Sequence, residues 1–267
     1  MAAMSYRTIV SVINEHTAST VTARYAIALA AACKAGLVLY AAGDDGSDEA
    51  SLQRTARHQD HLYAVASELG IPVARITGIG NVSKLLPEWL QAEKADLVLY
   101  PMIPDKRYGT VLQRQTIRHI LRTIRTDLAI MRVITMAKPH PGHILVPLGK
   151  VIDDNGRRLM FIAELAKSFQ SQVTLFHLSA ERDSKGMPDD IIQFGKQLRE
   201  EHVTVLERRG RGDLGRAITV EAITRHNDLV VLGATGRGAL RRLLFGNPAG
   251  DIMHKPPCNT ILFQAAR

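Results

Sequence analysis

Cysteine is almost absent from this sequence. Cys33 and Cys258 are the only two in 267 residues, and they fall in different halves. Two isolated thiols exclude a disulfide framework or a zinc ribbon and suit a reducing compartment. Aromatic residues make up only 5%, too few for a base-stacking platform, and there is no RNP-like or zinc-finger pattern. No apolar run approaches the ~20 residues needed to span a bilayer. The opening MAAMSYRTIVSV runs straight into a strand-like pattern without a signal-peptide layout. The expectation is a soluble, cytoplasmic protein with no membrane contact.

A net charge of +8 invites a nucleic-acid reading. Residues 1–138 and 139–267 each carry about half of that excess, so there is no basic tail or basic domain. A solvated basic surface that favours phosphates is the better account. Apolar residues reach 46%, enough to give each half a core.

What the chain does have is an internal repeat. GIGNVSKLL at 78–86 matches GRGDLGRAI at 210–218, and an acidic residue opens a strand sixteen positions after each second glycine: Asp96 and Asp228. The same offset sets DLAIM at 127–131 over NTILF at 259–263. The first strands, TIVSVIN at 8–14 and HILVPLG at 143–149, match with a small shift. MAKPHPG (136–142) breaks both helix and strand and reads as the junction. Two domains, 1–138 and 139–267, are expected.

Within the second copy, apolar runs predict strands at 143–148, 173–178, 203–208, 228–233 and 259–263. Helical periodicity predicts helices over 157–169, 187–202 and 213–226, with Asp213 as N-cap, and a last helix from about Pro248 to His254. Strands alternating with helices imply α/β architecture: two tandem doubly wound domains, each a five-stranded parallel sheet with helices on both faces. Such sheets bind ligands beyond the carboxyl ends of their strands.

The loop after the fourth strand runs Gly233-Ala-Thr-Gly236-Arg237-Gly238 and on to Gly246-Asn247-Pro248. Glycines let backbone N–H groups approach an anion, Asn247 and Pro248 start a helix that points back at it, and Arg237, Arg241 and Arg242 add charge. Gly-x2-Gly-x9-Gly followed by a small polar residue, with Pro257-Cys258 before the last strand, resembles the universal stress protein family over essentially the whole chain. That resemblance implies an adenine-nucleotide α-hydrolase-like fold and ATP, with Mg2+ accompanying it, as ligand. It also implies pairing of the two domains through their last strands as an intramolecular pseudo-dimer, and a homodimer beyond it. It implies a nucleotide site made of Leu232, Gly233, Gly236, Arg237, Gly246, Asn247, Pro248 and Gly149. The sequence departs from the family pattern at three of these. Asn247 replaces a hydroxyl residue, Pro248 lacks an N–H, and Gly149 stands where an adenine-binding Asp is expected.

In the first copy the equivalent loop, 101–115, has Pro101, Pro104, Arg114 and Gln115 in place of those residues, and Asn14 in place of the Asp. This copy reads as a structural or partner-binding domain. Gly210-Arg-Gly212-Asp-Leu-Gly215 is a literal dinucleotide motif, but its twin at 78–83 loses the third glycine and Asp228 falls at the start of the next strand. A tight turn with a helix cap is expected instead. His177, His254 and Cys258 lack metal-spaced or activating partners and read as structural. Arg118, Arg122 and Arg125 mark one solvated helix face. No Walker A, G-x-S-x-G or HExxH pattern is present. No general base or metal carboxylate set is evident, so fast hydrolysis is not expected. Two readings stand: a stress-response protein whose second half binds an adenine nucleotide as regulatory ligand, or a nucleotide-free interaction module.

Overall fold

The computed structural model describes residues 5–43, 47–102, 117–134, 140–149, 156–179, 186–234, 253 and 256–266. They form two compact units, Met1–Val133 with Ala266–Arg267, and Ile134–Ala265.

In the first unit the order is β1 (Thr8–Ile13), α1 (Thr17–Cys33), β2 (Gly36–Gly43), α2 (Glu49–Glu68), β3 (Val73–Ile79), α3 (Val82–Ala92), β4 (Leu97–Met102), a helix whose described part is 117–123 (α4), and β5 (Asp127–Arg132). The strands lie in the order β3-β2-β1-β4-β5 and pair in parallel. The second unit repeats this plan with β6 (His143–Leu148), α5 (Arg157–Phe169), β7 (Gln172–Leu178), α6 (Asp189–Glu200), β8 (Val205–Gly210), α7 (Leu214–Thr224), β9 (Leu229–Gly233) and β10 (Asn259–Gln264). Its strand order is β8-β7-β6-β9-β10, again parallel. From β1 and β6 the chain steps outward twice in one direction and then returns across the first strand. Right-handed crossovers therefore put the helices on both faces.

The buried runs that suggested two-sided burial are buried: Ile144, Leu145, Val146 and Val230 are each 0% exposed. The edge strand is different. Apolar patterning placed it at 203–208, but β8 runs Val205–Gly210. His202 takes a left-handed conformation (φ 63°) at the end of α6, and Val203 N–H still donates to Leu198 O. The strand thus starts late and continues through Arg208 and Arg209, which an edge position tolerates because one side is solvated. The predicted helix at Pro248–His254 lies outside the described residues, apart from Met253, which is helical.

The two units share their local devices. Lys34 and Gln170 both cap the first helix of their unit in the left-handed region (φ 54° and 53°). Counting back from them sets Tyr25 over Phe161, two fully buried aromatics on the same helix face. Phe161 stacks on Phe263 with centroids 4.4 Å apart and planes 12° apart.

Cys258 is buried beside β10, and Cys33 is partly exposed. Burial, with the nearby Asp228 carboxylate, pushes the Cys258 thiol up to about 12 from its ordinary 9.0. A raised pKa favours the neutral folded form, so its contribution to stability is full below about pH 9 and fades as pH rises towards 12. Iodoacetamide at pH 8 is expected to alkylate Cys33 readily and Cys258 only after unfolding. Mass spectrometry of the native protein checks this, and two labels at equal rates would contradict it.

Candidate functional site

The site is built where the sheet of the second unit changes direction. β6 pairs with β7 along its whole length, from His143 opposite Gln172 to Leu148 opposite His177. Against β9 its ladder covers only Ile144 opposite Leu229 and Leu145 opposite Val230. Beyond that level no ladder pair joins the two strands. Ladder-free strand ends at a reversal of strand order are where doubly wound sheets bind ligands. Leu232 and Gly233 end β9, and Gly149 directly follows β6. Ala234 N–H donates to Phe263 O at 2.7 Å and fixes the exit from β9. The structure thus places Leu232, Gly233 and Gly149 at the carboxyl ends of β9 and β6. Gly236, Arg237, Gly246, Asn247 and Pro248 lie outside the described residues.

One residue that the sequence did not single out is central here. Arg158, in the first turn of α5, is only 5% exposed, and its Nη2 donates to Pro147 O at 3.0 Å. A Cβ on Gly233 would lie 2.5 Å from its Nη1 and 2.6 Å from its Cζ. The guanidinium therefore lies over Gly233, in space that any side chain at that position would claim. Burying a cation costs several kcal/mol, so this placement is not a surface accident. In the first unit the same count from the helix cap gives Thr22, whose hydroxyl only donates back to Ala18 O at 2.9 Å.

Beyond Leu148 the same edge carries His177, 4% exposed, with Nδ1 3.1 Å from Leu148 O. A carbonyl can only accept, which puts a proton on Nδ1 in this bond. His177 is thus a buried side chain that ties β7 to the end of β6. Arg209 stands opposite His177 in the β7–β8 ladder, and its Nε donates to Ser179 Oγ at 2.9 Å.

The literal dinucleotide motif is accounted for by local structure. A Cβ on Gly210 would meet Phe176 Cζ at 2.3 Å, and one on Gly78 would meet the Tyr40 hydroxyl at 2.1 Å. Gly212 and Gly80 have φ of 93° and 127°, which only glycine adopts without strain. Asp213 then accepts from Arg216 N–H at 3.0 Å, and Asn81 from Ser83 N–H at 3.1 Å, capping α7 and α3. The acidic residues sixteen positions on are structural too. Asp228 Oδ2 accepts from Gly142 and His143 N–H at 2.9 and 3.1 Å; Asp96 Oδ2 accepts from Arg7 and Thr8 N–H at 2.8 and 2.9 Å. Each carboxylate ties the start of the fourth strand to the start of the first.

The first unit has the same short ladder, since β1–β4 pairing stops at Ser11 opposite Leu99. Pro101 and Met102 end β4, and residues 103–116 lie outside the described residues. Asn14, in the place of the expected Asp, turns its Oδ1 to His16 N–H at 3.1 Å, while His58 Nδ1 lies 2.9 Å from its carbonyl oxygen. Among the described residues no group of three His, Cys, Asp or Glu side chains could hold a metal ion, and no helix is long and apolar enough to cross a membrane.

Residues 141–264 match the Universal stress protein family. No curated protein matches the chain. Among solved structures, a universal stress protein from Archaeoglobus fulgidus DSM 4304 is similar with a TM-score of 0.69 at 11% identity, covering 97% of this chain and 98% of that one. The cytoplasmic domain of a prokaryotic cation chloride cotransporter is similar at TM-score 0.65 and 12% identity, covering 98% and 96%. A functionally unknown protein from Pseudomonas aeruginosa PAO1 follows at 0.64 and 15%, covering 98% and 93%. At these identities the likeness is one of fold, and it extends across both units.

Proposed function

We propose, for a chain whose residues 141–264 belong to the universal stress protein family, that the second unit binds ATP or a related adenine nucleotide as a regulatory ligand. The observation that supports this reading is the early end of the β6–β9 ladder at Leu145 and Val230, with Gly233 at the end of β9 opening the glycine-rich run to Gly246. Leu232, Gly233 and Gly149 would face the nucleoside, and Gly236, Arg237, Gly246, Asn247 and Pro248 would wrap its phosphates, with Mg2+ on the phosphates. The first unit, with Pro101 at the end of β4 and no glycine run after it, would act as a structural or partner-binding domain. The setting would be a cytoplasmic stress response. Binding, and not turnover, is the activity proposed.

The test is direct. Denature the purified protein, separate the supernatant by anion exchange and look for released nucleotide; then titrate ATP into wild type and Gly236→Val. A saturable ATP site, weakened by about tenfold or more in Gly236→Val, is the expected result. Undiminished binding in that variant would move the site away from this loop. The absence of both released nucleotide and saturable binding would favour a nucleotide-free interaction module, the reading that Gly149, Asn247 and Pro248 support.

A further inference from the structure

The two units share a backbone plan, so one can be read against the other at the ends of their central strands. Leu97 and Val98 of β4 lie over Leu229 and Val230 of β9, and their ladder partners set Ile9 and Val10 over Ile144 and Leu145. The first unit carries this ladder one pair further, to Ser11 opposite Leu99. The second stops before the equivalent pair, Val146 and Val231. Three residues around that level differ together. Pro147 stands where the first unit has Val12, Gly233 where it has Pro101, and Arg158 where it has Thr22.

The three changes meet at one side chain. Pro147 has no N–H to give to a ladder. Its carbonyl oxygen still accepts, and the donor is Arg158 Nη2 at 3.0 Å. The same guanidinium fills the space over Gly233, where a Cβ would lie 2.5 Å from Nη1, 2.6 Å from Cζ and 3.0 Å from Nε. One buried side chain therefore reaches the ends of both β6 and β9, at a level where no ladder pair joins them. Alanine at 233 would displace the guanidinium and with it the bond to Pro147, because a close-packed interior leaves it little room to retreat. In the first unit Thr22 only donates back within its own helix, to Ala18 O.

From these contacts we infer that Arg158 is a positioning residue: it braces the carboxyl ends of β6 and β9 where their ladder has ended, and residue 233 is glycine to admit it. The brace sets the spacing between Gly149, which follows β6, and Leu232 and Gly233, which end β9. For its effect on a ligand the inference rests on the nucleotide reading; the brace itself does not. The glycine identity at 233 then serves the site through Arg158, and not by admitting a ligand to bare backbone.

The test is a double-mutant cycle in the full chain, with Gly233→Ala, Arg158→Ala and both together. Hydrogen exchange by mass spectrometry, on peptides spanning 144–149 and 229–234, reports the strand ends, and ATP titration reports the site. Gly233→Ala alone is expected to speed exchange in both peptides and to weaken ATP binding, each by about tenfold. With Ala at 158 the guanidinium is gone, and adding Gly233→Ala should change either readout by less than about twofold. Arg158→Lys keeps a donor for the Pro147 carbonyl and should regain part of the affinity that Arg158→Ala loses. Circular dichroism checks every fold. If Arg158→Ala does not fold, Arg158→Met, whose side chain ends short of the guanidinium, takes its place in the cycle. Unchanged exchange in Gly233→Ala, or effects of the two substitutions that simply multiply, overturn the inference. So does ATP binding that Gly233→Ala weakens equally with and without Arg158, which would assign the glycine to the ligand. Coupled exchange in a protein that binds no ATP supports the brace and removes only the nucleotide reading.

Discussion

Gly210→Val is expected to destabilise the second unit by about 3 kcal/mol, at the upper end of overpacking costs. The built Cβ alone would sit 2.3 Å from Phe176 Cζ, and Phe176 is 2% exposed, so its ring has nowhere to go. Valine adds two more methyl groups at the same contact. Phe176→Leu should relieve part of the strain, and a double-mutant cycle should show coupling between the two sites. Gly212→Ala is the informative control. No atom lies within 4 Å of a Cβ there, and the cost should be about 1–2 kcal/mol, from the positive φ alone. The single tryptophan, Trp89, lies in the first unit. Urea unfolding followed by far-UV circular dichroism should therefore shift in Gly210→Val more than unfolding followed by Trp89 fluorescence. If Gly210 instead served a dinucleotide, valine there would change ligand affinity and leave stability nearly unaltered.

Asp228→Ala is expected to cost about 2–3 kcal/mol, the range for charge-assisted hydrogen bonds whose donors lose their acceptor. Its side chain is only 11% exposed and receives two backbone N–H groups from the start of β6. Asp228→Asn keeps one carbonyl acceptor and should cost about half as much. The effect should be matched in the first unit by Asp96→Ala, since Asp96 receives the N–H groups of Arg7 and Thr8. The imidazole of His143, 3.9 Å from Asp228 and half exposed, adds little in comparison. Denaturant melts of the four proteins decide the point. A loss below about 0.5 kcal/mol in Asp228→Ala would mean that water replaces the carboxylate freely.

These two residues also show what could be read in advance. Gly210 and Asp228 repeat at Gly78 and Asp96 with one offset, and a repeated residue without a repeated glycine loop points to architecture and not to ligand. The strand and helix order was legible for the same reason, because central parallel strands are apolar on both faces. Arg158 and Arg209 were not legible. The equivalence that exposes Arg158 runs through the first helix, where the offset between copies is four residues larger than at the glycines. The partner positions, Thr22 and Thr77, look unremarkable until the helix caps and strand registers align them. β8 was misplaced by two residues because an edge strand need not be apolar, and Arg208 and Arg209 sit well in it. Burial of Arg158 has no sequence signal at all: a first-turn arginine ordinarily reaches solvent, and only the missing side chain at Gly233 lets it turn inward.

The most direct test of the account is the number of ATP molecules bound per chain, measured by equilibrium dialysis on wild type and Gly236→Val. One site per chain, lost or strongly weakened in Gly236→Val, is the predicted result. Two equivalent sites would contradict the assignment of binding to the second unit, and none would contradict nucleotide binding itself.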